Sequence, residues 1–416
     1  MSLIRFVSRR HFLATAGAAV GTACFSRAEP RMTNIAAIIT EYRRNSHADV
    51  IAGRWLEGFD LDGKSAKPKS KLVSMYTDQL PPNDMSRSLA RKHGFTIYKS
   101  IREALCCGGD KLAVDGVLLI GEHGNYPVNE KGQKLYPRRR LFEGIVDVFR
   151  ASKRSVPVFN DKHLSYSWEN TKWMYDRAIE MKIPLMAGSS LPTTWRLPPL
   201  ELPGGVEVEE AVVTSYGGLE SYGFHALEAL QCVLERRKGN ETGVQAVTCL
   251  EGDQVWNSAK KLWSPALLDA ALAKGMAVRK GTPRDNCKKP AAFVIEYRDG
   301  CRATLLHLSG HVREMIVAAR IKGEKQPFAV NFWLQDGRPY GHFTMLCQGI
   351  DAMFMTGKPT WPVERTLLTT GILDAALTSR FKGHVRLQTP HLAISYQPGP
   401  AWKQPPPPRV GPALPK

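Results

Sequence analysis

The chain has 416 residues, 43% of them apolar and 23% charged, which allows two domains with cores of their own and excludes a disordered chain. Its formal net charge of +18 raises nucleic acid as a partner, but the basic residues are spread along the chain and belong to no nucleic-acid motif. Nucleic acid is therefore not expected; acidic polysaccharide or a membrane surface is the better use of the charge.

The first segment reads Ser8-Arg9-Arg10-His11-Phe12-Leu13, then an Ala/Gly-rich run to Ala23, then Ser26-Arg27-Ala28. That order is expected for a twin-arginine export signal over residues 1–28, cleaved after Ala28, and places the mature chain in the periplasm. The apolar stretch falls far short of the roughly 20 residues that span a bilayer, so no transmembrane anchor is expected. Eight cysteines contain no Cys-x-x-Cys pair, and Cys106-Cys107 are adjacent, so buried free thiols are expected rather than a zinc site or a disulfide framework.

From Asn34 short apolar runs alternate with amphipathic stretches: "NIAAIIT", a helix to Gly58, "KLVSMYT", "SRSLARKHG", "FTIYKS", "VDGVLLIG", "RRLFEGIVDVFRAS", "VPVF", "SWENTKWMYDRAIEMK" and "IPLMAG". Strands separated by helices of this length predict βαβ units and an α/β, Rossmann-like, doubly wound parallel sheet over residues 29–190. After "LPTTWRLPPLELPGG" the texture changes. One strong helix, "LESYGFHALEALQCVLERR", and several β-rich runs predict an α+β domain over 191–396 with a large, open, mostly antiparallel sheet. Two closing helices are expected near 343–381. Residues 397–416 form a Pro-rich tail with nothing evident to bury, expected to be extended and mobile.

Open parallel sheets hold ligands beyond the carboxyl ends of their strands. Four such ends carry polar clusters: Thr40-Glu41-Tyr42-Arg43-Arg44, Thr77-Asp78, Gly121-Glu122-His123-Gly124-Asn125-Tyr126 and Asn160-Asp161-Lys162-His163. They are expected to line one crevice.

The stretch "FNDKHLSYSWENTKWMYDRAIEMKIPLMAGSSLP" and the closing "GIDAMFMTGKPTWPVERTLLTTGILDAALTS" resemble the Gfo/Idh/MocA family of sugar oxidoreductases, and the order of elements matches from Ala28 onward. The resemblance implies NAD(P)-linked hydride transfer on a sugar or sugar derivative, with Lys162 in the place of the family's catalytic lysine. It also implies a homo-oligomer. Proton transfer from the hydroxyl must accompany hydride loss from a carbinol carbon, so a lysine of lowered pKa suits the place. His163, if protonated, would lower the pKa of Lys162, and Asp161 would oppose that. By the same resemblance "GGLESYGFHALEAL" places His225 where the family has a crevice-facing histidine, with Ser221 and Glu220 near the place of its usual Asp.

The departures are as informative. "IAAIITEYRRNSHADVIAG" has no glycine until Gly53, where the fold's dinucleotide motif has three, so Glu41, Tyr42 and Arg43 obstruct the usual pyrophosphate site. Arg43 and Arg44 remain candidates to hold phosphate by charge, Asp78 to hold the adenosine ribose, and Glu122 to lie beside a cofactor. The long polar segment 121–139 brings His123, Asn125, Tyr126, Tyr136, Arg138 and Arg139 beside the crevice; with Trp195 and Arg196 it supplies candidates for binding sugar. Glu122, His123 and His163 as a divalent-metal set is a minor option, because no paired-ligand spacing supports it. Besides the NAD(P)-linked oxidoreductase, two alternatives stand: a relative that has lost the dinucleotide and performs elimination or hydrolysis with Lys162 and a histidine, or a protein that only binds carbohydrate.

Overall fold

A run of five aliphatic residues, Ile35 to Ile39, none of them exposed, begins the chain that the computed structural model describes, residues 32–415. Such an unbroken apolar run is what a strand covered on both faces requires. Twin-arginine residues 8–28 lie outside the described part.

In the first half β1 (Asn34–Ile39), α1 (His47–Glu57), β2 (Lys71–Thr77), α2 (Ser86–His93), β3 (Thr96–Tyr98), α3 (Ile101–Cys106), β4 (Gly116–Ile120), α4 (Arg138–Ser152), β5 (Val158–Asp161), α5 (Trp168–Glu180) and β6 (Leu185–Gly188) alternate as the sequence periods predict. The strands form one six-stranded sheet in the order β3-β2-β1-β4-β5-β6, every pairing parallel. That is the doubly wound order whose topological switch point lies between β1 and β4. The expected Rossmann-like sheet is therefore present.

The second half contains β7 (Trp195–Leu197), β8 (Val208–Ser215), α6 (Ser221–Leu234), β9 (Val244–Glu251), α7 (Asp253–Asn257), α8 (Pro265–Leu272), α9 (Pro283–Asn286), β10 (Ala291–Tyr297), β11 (Arg302–His307), β12 (Met315–Ile321), β13 (Phe328–Trp333), α10 (His342–Thr356), α11 (Glu364–Phe381) and β14 (Leu387–Gln388). Its eight-stranded sheet runs β14-β9-β10-β11-β8-β12-β13-β7, antiparallel except where β11 pairs with β8. α6 and α11 cover one face through Phe224, Leu227, Leu230, Leu368 and Ile372.

The closing helices do not belong to the second sheet alone. Leu346, Ile350 and Phe354 of α10 pack with α1 on β1 and β4 of the first sheet, while Leu367 of α11 joins the core beneath α4 and α5. Residues 33–415 belong to one compact unit. The Pro-rich tail is extended, as expected, but it is anchored: Trp402 donates its indole N–H to Thr194 O (3.0 Å), and Gln335 donates to Val410 O (2.7 Å) and Pro412 O (2.9 Å). No helix among the described residues is long and apolar enough to cross a membrane.

Candidate active site

The carboxyl ends of β4 and β5, next to the switch point, open into a cleft of about 810 Å³. Its walls include Asn45, His47, Glu122, His123, Tyr136, Lys162, Ser190, His225, Tyr340 and His342, so loops of the first sheet face α6 and the segment before α10. Such a volume lies in the usual range of ligand-sized clefts, roughly 300–1,000 Å³.

At its floor Lys162 Nζ donates to Glu122 Oε1 (2.8 Å), and the other Glu122 oxygen accepts from Arg138 Nη2. All three side chains are buried. Burial favours a neutral Glu122, but the Lys162 and Arg138 charges outweigh it and hold the carboxyl well below the usual carboxylate range. Glu122 is therefore a fixed anion between two cations. Lys162 continues directly from β5 with φ of 62°, in the left-handed region; Asn45 (61°), His123 (71°) and Tyr340 (53°) line the same cleft with the same unusual backbone. Non-glycine residues held there cost of order 1 kcal/mol or more each and cluster at functional sites.

Four imidazoles surround the pair. Burial and the neighbouring His47 push His123 down to about 3, and burial with the Arg54 and His47 charges does the same to His342. Burial, reinforced by Lys162, holds His225 well below its ordinary range. These rings are neutral at pH 7 and act as hydrogen-bonding groups. Ser189 Oγ lies 2.6 Å from His225 Nδ1 and accepts from Leu191 N (3.1 Å), so the serine fixes the orientation of the His225 ring. The fourth ring, His47 at the start of α1, is oriented by Asp161, whose Oδ2 meets His47 Nδ1 at 2.7 Å.

Of the residues singled out in the sequence, Lys162, Glu122, His123 and His225 meet in this cleft. Asp161 lies behind it as the partner of His47. His163 points away from Lys162, to Arg138 Nη1 (3.2 Å) and the Phe224 ring, and burial with the Arg138 charge holds it neutral. A protonated His163 tuning Lys162 is thereby corrected. Glu122, which also lines the cleft, is the counter-ion of Lys162. Trp195 and Arg196 do not reach the cleft: β7 is the far edge of the second sheet, where Trp195 packs on Trp333 and Arg196 lies between Phe332 and Trp402. Glu122, His123 and His163 do not converge on a point, and among the described residues no group of three or more His, Cys, Asp or Glu is arranged for a metal.

Several cleft residues escaped the sequence reading, among them His47, Asn45, Ser190, Tyr340 and His342. His47 carries a usable signal, since it opens the helix that follows the first strand, where a parallel sheet points its ligand-facing groups. Asn45, two residues earlier in the same loop, shares that signal; Tyr340 and His342 carry none, because their segment meets β4 and β5 only through the tertiary packing of α10.

Arg43, Arg44, Asp78, Asn125 and Tyr126 all lie outside the cleft. Arg43 Nε donates to Glu41 Oε1 (2.6 Å), and Arg44 is exposed. Asp78, at the end of β2, accepts from the Tyr126 hydroxyl (2.7 Å), the Tyr76 hydroxyl (3.0 Å) and Arg140 Nη2 (2.7 Å). Next to it Gln79 donates to Asn125 O (3.0 Å) and accepts from Asn125 N (2.8 Å).

No protein-family model matches the chain, and no curated protein matches it. Solved structures do. GenD2 of gentamicin A biosynthesis, in complex with NAD, is 14% identical with a TM-score of 0.53, covering 86% of this chain and 96% of its own. An apo scyllo-inositol dehydrogenase of Lactobacillus casei is 11% identical with a TM-score of 0.52, covering 86% and 98%. An oxidoreductase of Agrobacterium radiobacter, in complex with NAD+, L-tartaric acid and magnesium, is 14% identical with a TM-score of 0.51, covering 85% and 98%. The fold expected from the Gfo/Idh/MocA resemblance is the fold of this chain.

A dinucleotide in such a fold needs bare backbone after β1, free amides at the start of α1, and an acid at the end of β2 open to a ribose. Here Glu41 and Arg43, joined to each other, follow β1, while Tyr42 is packed in the core against α1 instead of in the pyrophosphate place; Asp49 and His123 accept from the Asn45 and His47 amides, and Asp78 is already engaged. The residues of that groove do not fit a dinucleotide.

Proposed function

We propose that this chain is a sugar-directed enzyme built on the Gfo/Idh/MocA oxidoreductase fold, with Lys162 as the group that moves a proton at a substrate oxygen. The observation that carries this reading is the buried Lys162–Glu122 pair at the carboxyl end of β5, opening into a ligand-sized cleft. Lys162 Nζ donates to the ionised Glu122, so the pair is placed to pass a proton to a substrate oxygen that gains negative charge and to take it back in the reverse direction. His225, which lines the cleft, supplies a second hydrogen-bonding group for a substrate hydroxyl or carbonyl oxygen. Tyr136, Tyr222 and Phe343 give the cleft apolar faces on which a sugar ring can stack.

NAD(P)-linked oxidation or reduction of the sugar is a second reading; the fold shared with dehydrogenases solved with NAD favours it. Export through the twin-arginine pathway to the periplasm rests on residues 8–28 alone, and mass spectrometry of the mature N-terminus tests it. The homo-oligomer stays a proposal by resemblance, decided by light scattering.

The deciding experiment is a turnover screen of neutral and acidic sugars with product masses read directly: loss or gain of two hydrogens marks redox chemistry, and loss or gain of water marks elimination or hydrolysis. Lys162→Met is expected to lose turnover by at least about a hundredfold. Undiminished turnover in that variant sinks the acid/base role.

A further inference from the structure

The doubly wound order sets a dinucleotide across the sheet's switch point, its adenosine half on the β2 side and its reacting half toward β4 and β5. In this chain the two halves of that crevice differ. The β4–β5 half is the open cleft with Lys162; neither Asp78, Tyr126, Arg43 nor Arg44 lines it. The β2 half is occupied by the chain itself.

We propose that the segment Gly121–Pro137 is a built-in occupant of the adenosine half of this groove, so that the site works with a single sugar-sized ligand and without a dinucleotide seated there. Tyr126 presents its hydroxyl to Asp78 at 2.7 Å, the contact a ribose hydroxyl would make. Arg140 saturates the same carboxylate from the first turn of α4, and the reciprocal Gln79–Asn125 bonds fasten the segment to the turn after β2. Further along, Lys134 N donates to Glu220 Oε2 (2.9 Å) and Gln133 Nε2 to Asp374 Oδ1 (2.9 Å), so the segment is held at both ends.

The middle of the groove is closed independently. Asn45 N donates to Asp49 Oδ2 (2.9 Å), His47 N to His123 Nδ1 (3.4 Å) and Asp49 N to Ser46 Oγ (3.3 Å), so the amides that would face a pyrophosphate have partners. Asp49 is buried, with Arg338 Nη1 2.7 Å from Oδ2. Asp49 and Glu41 set two carboxylates at the helix end that would otherwise attract an anion. Opening the groove to a dinucleotide would require breaking the Asp78, Gln79 and His123 contacts together.

This inference rests on the sugar-directed reading of the cleft, but it fails separately from it. Full-length protein from its own host is denatured and the supernatant searched for nicotinamide nucleotides; the native protein is then titrated with NAD+, NADH, NADP+ and NADPH by calorimetry. No released nucleotide and no binding heat are expected. Near-stoichiometric nucleotide, or saturable binding, overturns the inference and leaves the Lys162 role intact. The anchor is tested by Tyr126→Phe: hydrogen exchange of the amides in 122–136 is expected to quicken by at least about tenfold. Unchanged exchange shows that Asp78 does not hold the segment and overturns the proposal from that side.

Discussion

Glu122 neutralises both Lys162 and Arg138 at a buried position. Glu122→Gln leaves two buried cations with no counter-charge, a loss of about 3–5 kcal/mol that urea unfolding will show as a lower midpoint. Lys162→Met is the milder change, because Arg138 still pairs with the carboxylate; its midpoint is expected to lie above that of Glu122→Gln. The place of Lys162 at the cleft was legible in the layout of strand, turn and helix, yet the partners of its two neighbours were not. Successive side chains at a strand end point to opposite sides, and the left-handed backbone at Lys162 turns the chain again. Asp161 therefore goes to His47 and His163 to Arg138, although sequence adjacency suggested that both would tune the lysine.

Helices and strands followed their periods closely, because each long element has one buried face to set the pattern. What the periods could not show is which sheet an element covers: α10 and α11 read as ends of the second domain, but apolar residues on both helices reach the first sheet. Gly371 marks how tightly α11 is held. A Cβ there would meet Leu392 Cδ2 at 2.3 Å and Trp168 Cε3 at 3.0 Å. Gly371→Ala gains helix propensity yet is expected to destabilise by about 1–3 kcal/mol, since both neighbours are packed in place; thermal unfolding checks the sign. The segment 121–139 stood out in its composition, but its contacts with Asp78 and Gln79 at the end of β2, more than forty residues away in sequence, did not.

Across the molecule, buried histidines set the response to acid. His123 and His342 titrate near 3 when folded, against about 6.5 unfolded, and His163 and His225 are displaced the same way. The unfolded chain then binds more protons between about pH 6.5 and about 3, so stability present above that window is lost as pH falls, by up to about 1.4 kcal/mol per pH unit for each fully buried ring. Unfolding midpoints measured from neutral to acid pH are expected to drop steadily; a flat profile would mean that the rings are already charged in the fold. The tail contributes at this scale as well. Trp402→Ala removes a stack on Arg196 (4.4 Å to the ring centroid) and a hydrogen bond to Thr194, an expected loss of about 2–3 kcal/mol by denaturant titration. The same tail reaches the cleft, whose wall includes Pro415. Limited proteolysis within 397–415 is therefore expected to change ligand access to the cleft without cutting either sheet.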